Sequence, residues 1–226
     1  SIISMLLFAT SAYICFAILK PYNNINYGPV KNYFFYALSF AQPNWDLQLL
    51  DRMNSAPKQG DAFMHGFSNS VTYVMLSTPV VSSGIAWKSR EEAWKYFAVQ
   101  SVGSIALNGA FTMALKYGVA RPRPFVDHGN MIYKKAEAGS LSFPSGHTSS
   151  AFQWATSCAL ACPKWYVVVP AYAYACGIGY SRMYLGVHYP TDVLAGAFIG
   201  SSSAVLSQFL TQKLFQRKTR PNRKMI

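Results

Sequence analysis

Lys116-Tyr-Gly-Val-Ala-Arg121-Pro-Arg123-Pro124, Phe143-Pro144-Ser145-Gly146-His147-Thr-Ser-Ser150 and Tyr180-Ser181-Arg182-Met-Tyr-Leu-Gly-Val-His188-Tyr-Pro-Thr-Asp192 are three clusters of cations and imidazoles set between apolar segments. Each cluster falls at the end of one such segment. That placement lets a single site collect charge from several helices.

Working outward, only 12% of the 226 residues are charged and 51% are hydrophobic. An ordinary soluble domain carries roughly 25% charged residues. Mean hydropathy is a modest +0.13, so the segments decide the class better than the average does. The net charge of +12 admits nucleic acid, anionic lipid or an anionic substrate as partner. Nucleic acid is disfavoured, because the basic residues cap apolar runs or crowd the C-terminal tail. Cys15, Cys158, Cys162 and Cys176 all lie in apolar stretches, without a second Cys/His pair to complete a zinc set. They read as small buried thiols.

The pattern predicts an all-α fold, a polytopic transmembrane bundle of five or six spans with an amphipathic outer segment. Residues 1–19 are a transmembrane helix or a signal segment. Residues 20–62 form an outer loop whose Asp46–Met53 stretch has the apolar spacing of an amphipathic helix, resting on the bilayer or on the bundle. Residues 63–214 are the catalytic helical bundle. Its apolar runs are Phe63–Trp87, Tyr96–Leu115, His147–Cys162, Trp165–Tyr180 and Val193–Leu214. His65 reads as an interfacial, hydrogen-bonded side chain. The polar connection Val126–Ser140 is either a substrate-facing lid or, the plainer reading for each residue singly, a solvated loop. Residues 215–226 form a basic tail.

Basic residues flanking a span mark the cytoplasmic side. With the tail inside, counting spans backward puts Lys164, Lys88, Arg90 and Lys95 inside as well. The same count delivers Lys116, Arg123, His147, Arg182, His188 and Asp192 to the outer face. Ionisable groups gathered at a membrane face are costly unless paired or bound to an anion, so the cluster is a candidate site.

Three cations and two imidazoles beside one carboxylate describe an anion site. Lys116, Arg123 and Arg182 suit the non-bridging oxygens of a phosphoryl group. Ser145 and Gly146 open a helix, whose amides and positive end favour the same oxygens. His188 and Asp192 lie four apart, so a carboxylate can set the imidazole tautomer and leave its other nitrogen to attack phosphorus. His147 remains to protonate the leaving oxygen and then to activate water. No carboxylate cluster suggests a metal, and no cofactor is expected. A plainer reading of His188 and Asp192 is a helix cap with a polar neighbour. Arg121 reads as a charge on the rim.

Lys116 with Arg123-Pro124, Pro144 to His147, and Ser181-Arg182 with His188 and Asp192 together resemble the signature of the type 2 phosphatidic acid phosphatase family. The likeness covers about a third of the chain and is specific as a triplet. It implies a helical bundle and a metal-free phosphatase with His188 as nucleophile and His147 as acid/base. It further implies a lipid phosphate or diphosphate substrate met outside the cytoplasmic membrane. The head group stays open among phosphatidylglycerol phosphate, phosphatidic acid, undecaprenyl diphosphate and lipid A phosphates. Competing expectations are a vanadate-dependent haloperoxidase, a soluble periplasmic acid phosphatase of the same superfamily, and a non-catalytic lipid-binding protein.

Overall fold

The structure, a computed structural model, describes residues 44–219. The expected segment at 1–19, the start of the 20–62 region and the end of the basic tail lie outside these residues. Seven helices make up the described chain: α1 (Asn44–Met53), α2 (Asp61–Ser89), α3 (Glu92–Val119), α4 (Pro124–Asp127), α5 (Gly146–Ala161), α6 (Trp165–Tyr184) and α7 (Pro190–Thr219). The described residues contain no strand; an isolated bridge pairs Pro122 with Leu141.

Local chemistry sets the helix ends. Arg90 and Ala120 adopt left-handed backbone, φ 61° and 51°, and close α2 and α3. Beyond Ala120 the two prolines of Arg121-Pro122-Arg123-Pro124 bar continuation of α3. Pro190 opens α7 at a position where its missing N–H costs nothing. Asp192, two residues on, turns back to accept the Tyr189 N–H at 2.9 Å, the reach of a capping carboxylate.

The bundle is assembled around α5, which packs against α2, α3, α6 and α7. Its contact with α7 is backbone-close. A Cβ at Gly196 would stand 2.7 Å from the Ser145 carbonyl oxygen, and one at Gly200 would collide with that of Ser149. Two glycines four apart on α7 therefore admit α5, as small residues do between membrane helices. This crossing brings the start of α5, with His147, beside the start of α7, with Asp192. The Ser145 N–H donates to the Asp192 carbonyl at 3.0 Å across it.

The polarity of the bundle is reversed relative to a soluble core. Buried between α3, α5 and α7 are Gln100, Ser104, Gln153, Ser157 and Ser207. Gln100 Nε2 donates to Ser157 Oγ at 3.1 Å, Gln153 Nε2 to Ser104 Oγ, and Ser207 Oγ to the Gln100 carbonyl at 2.7 Å. Such interhelical bonds average about 0.6 kcal/mol in a membrane. Outside, Tyr73, Val80, Trp87, Val102, Trp165 and Phe198 are exposed, a larger apolar surface than soluble monomers show. A smaller apolar cluster of Val71, Ala151, Ala155, Ala171, Ala175 and Ile178 joins α2, α5 and α6.

Two described helices, Glu92–Val119 and Pro190–Phe215, are long and apolar enough to cross a membrane. Among the described residues, the runs Phe63–Trp87 and Trp165–Tyr180 are helical throughout and His147–Cys162 is helical as far as Ala161, but none reaches that measure. Helix α5 has only 16 residues, about 24 Å at 1.5 Å per residue, and α2 carries a run of Ser, Thr and Asn.

Candidate active site

Helix α5 begins the site. Ser145 caps it, its Oγ accepting from Thr148 N at 3.5 Å and pairing with Thr148 Oγ1 at 2.9 Å. The Ser145 amide was expected to face a phosphate. Its bond to the Asp192 carbonyl excludes that; the cap ties α5 to α7 instead. The amides that point out of the helix are those of Gly146 and His147, which meet no acceptor among the described residues. The His147 ring is partly exposed and likewise makes no hydrogen bond among the described residues. It is near enough to Arg182, His188, Arg123 and His65 for their charges to act on it.

His188 lies in the loop before α7, 2% exposed. Arg123 Nη1 stands 3.2 Å from its Nε2. A guanidinium has only donors, so Nε2 is the acceptor and the ring proton sits on Nδ1. Nδ1 faces Asp192 Oδ2 at 3.6 Å, an ion-pair distance beyond hydrogen-bond range. Burial pushes the His188 imidazole down to about 4, and Arg123 and Arg182 push the same way; Asp192 opposes them without prevailing. At neutral pH the ring is therefore neutral, and the unprotonated Nε2 accepts from Arg123.

Asp192 is fully buried and saturated. Oδ2 accepts from Ser142 Oγ and from Tyr189 N at 2.9 Å, and Oδ1 takes Arg121 Nη1 at 2.7 Å. The carboxylate is thus a cap, and it stands beside the His188 ring without a hydrogen bond to it.

The three expected phosphate ligands converge from α3, the following loop and α6. Lys116 Nζ donates to the carbonyls of Leu141 and Pro144 at 3.2 and 3.3 Å. Arg123 donates through Nε to Gly139 O at 2.5 Å and through Nη1 to Val187 O at 2.7 Å. Burial lowers its proton affinity. Arg182, 3% exposed, gives Nη1 to Ser68 Oγ at 2.8 Å, and its buried Nε has no partner. Among the described residues no carboxylate forms an ion pair with any of the three. Buried cations held by neutral oxygens and aimed at one place are arranged for an anion from outside.

Two further readings of the sequence need correction. Arg121 is not on the rim: it is 8% exposed and bridges Asp192 and Asp46. Burial opposes its charge, but the two carboxylates raise its proton affinity overall. The 126–140 connection is not simply solvated either. Ile132 and Ala136 are buried, and Lys135 Nζ pairs with Asp61 Oδ1 at 3.3 Å over the Tyr184 ring. Lys134 and Glu137 do form the exposed pair expected of a loop.

Asp46 and Ser142 were missed. Asp46 shares the inner face of α1 with Leu50, four residues on, and both are 0% exposed. That spacing was readable; a carboxylate on the apolar side of an amphipathic helix is a signal for a buried partner. The amphipathic helix itself is where it was expected, resting on the bundle. Ser142 carries no local signal.

The fold and site define an all-helical protein that gathers an imidazole–carboxylate pair and three unpaired cations at neighbouring helix ends. Residues 97–216 match the PAP2 superfamily, and the chain belongs to it. A lipid A 1-phosphatase of Porphyromonas gingivalis is 30% identical over 167 residues, 73% of this chain and 35% of that protein; the chain thus spans about a third of that relative's length. The crystal structure of Aquifex aeolicus LpxE is matched with TM-score 0.61 and 29% identity, over 74% of this chain and 96% of that one. A transmembrane PAP2-type phosphatidylglycerolphosphate phosphatase from Bacillus subtilis is matched with TM-score 0.59 and 25% identity, over 87% of this chain and all of that one. Two long apolar helices and these likenesses support membrane association.

Proposed function

We propose that this chain hydrolyses the terminal phosphate of a membrane lipid phosphate or diphosphate through a phosphohistidine. One observation carries the reading: Arg182 is buried with an unpartnered Nε and no carboxylate, beside Arg123 and the unprotonated Nε2 of His188.

Lys116, Arg123, Arg182 and the amides of Gly146 and His147 hold the phosphoryl oxygens. The His188 Nε2 lone pair attacks phosphorus as the bond to the leaving oxygen breaks, and His147 delivers a proton to that oxygen. Asp192 balances the imidazolium that results. In the second step His147 takes a proton from water, the water oxygen bonds to phosphorus, and the P–N bond breaks to release phosphate and neutral His188. The charge at the site comes from side chains, so no metal enters the scheme.

The bundle has five or six spans in this reading, residues 63–214 forming its catalytic part. The site faces outward from a cytoplasmic membrane, and the basic tail lies in the cytoplasm, as the distribution of Lys and Arg supports. Release of phosphate from a panel of phosphatidic acid, phosphatidylglycerol phosphate, undecaprenyl diphosphate and lipid A, with and without EDTA, tests it. EDTA-resistant turnover is expected. Turnover abolished by EDTA and restored by a divalent ion contradicts the metal-free scheme.

A further inference from the structure

Arg121 is clamped between two carboxylates. Its Nη2 meets Asp46 Oδ2 at 2.8 Å and its Nη1 meets Asp192 Oδ1 at 2.7 Å. The guanidinium lies over the Tyr189 ring, 3.8 Å from its centre. Asp46 is 0% exposed. Beyond Arg121 it accepts the Thr191 N–H at 2.9 Å and the Thr191 hydroxyl at 2.6 Å. Asp46 thus grips the first turn of α7 directly and through Arg121.

Anchoring explains one carboxylate on Arg121 but not two. Asp192 supports His188 only through its negative charge, and a lone guanidinium at 2.7 Å would cancel that charge. Asp46 supplies a second negative charge, so the buried trio carries net −1. The surroundings make that matter. His188 faces Arg123, Arg182 and His147, and Lys116 acts on Asp192. Asp192 is the one anion facing the ring among these groups.

We propose that Asp46 is a positioning residue of the phosphatase: through Arg121 it fixes Asp192 and preserves the charge that stabilises the His188 imidazolium when the ring carries phosphate. This rests on the reading of His188 as the nucleophile.

The test uses the full chain in detergent with phosphatidic acid, comparing wild type, Asp46→Asn, Asp46→Glu, Arg121→Gln and the double variant Asp46→Asn/Arg121→Gln. Asp46→Asn leaves the buried guanidinium with Asp192 as its one carboxylate, so the folded fraction is measured for each. The double variant leaves Asp192 without its guanidinium but restores the net −1 of the wild-type trio. Per folded enzyme, Asp46→Asn should lower kcat about 10- to 100-fold with KM within about threefold. The acid limb of its kcat/KM profile should move to lower pH by roughly half a unit to one unit, because the ring has lost a negative neighbour. Asp46→Glu should recover most of kcat. The double variant should exceed Asp46→Asn, since the guanidinium that cancels the Asp192 charge has gone. An acid limb that stays in place in Asp46→Asn, or two losses that simply multiply in the double variant, overturns the proposal. Wild type inactive on every lipid phosphate removes the underlying reading and the proposal with it. Active wild type with an unmoved Asp46→Asn profile removes the proposal alone.

Discussion

Arg123 Nη1 stands 3.2 Å from His188 Nε2, so the proposed nucleophile is already faced by a proposed phosphate ligand. Nη1 also donates to the Val187 carbonyl and Nε to that of Gly139, which together orient the guanidinium fork. Arg123→Ala should therefore lower kcat/KM by roughly a hundred- to a thousandfold. Arg123→Lys keeps the charge but not the fork, and should recover less than about a tenth of the loss. Steady-state rates on a lipid phosphate check both.

Arg182 separates function from stability. It is a buried cation without a counter-ion, an arrangement that costs the fold. Arg182→Met fills similar volume without charge. It should abolish turnover while leaving the thermal midpoint unchanged or a few degrees higher. Orthovanadate, a phosphate mimic, should raise the midpoint of wild type and not of Arg182→Met. A variant that unfolds at much lower temperature would assign Arg182 a structural role.

The acid limb of activity follows from burial of His188, which pushes its ring down to about 4. Protonation removes the attacking lone pair. The free-enzyme profile, kcat/KM against pH, should therefore fall as pH drops through about 4 and show no loss from His188 between there and neutrality. A limb near the ordinary imidazole value of about 6.5 would mean a hydrated ring.

Gly200 carries the crossing that brings His147 to Asp192. A Cβ there overlaps the Ser149 carbonyl, which cannot move without bending α5. Gly200→Ala should destabilise by about 1–3 kcal/mol or more, and Gly200→Val should not accumulate in the membrane. Thermal unfolding in detergent measures the first and expression the second.

Much of this site was legible from residue order because its chemistry is written at helix ends. Lys116, Arg123, His147, Arg182 and His188 each sit beside a break in an apolar run, and the structure brings them together. What escaped the sequence depended on packing. Arg121 and Arg123 are two residues apart in one proline-rich turn, and nothing local says that one is salt-bridged and the other without a carboxylate partner among the described residues. The difference is Asp46, 75 residues away in sequence from Arg121. The Ser145 amide looked available because helix-start amides usually are, but the glycines of α7 let Asp192 approach its backbone. The number of spans was read from apolar length, and buried Ser, Thr and Gln in this inverted core blur that signal.

The central claim is that His188 takes the phosphoryl group. The most direct measurement is a base-stable quench of enzyme during turnover, followed by peptide mass mapping. Phosphate on the peptide bearing His188, absent from His188→Asn, is the predicted result. Phosphate on another side chain, or a His188→Ala enzyme that keeps most of its turnover, would contradict it.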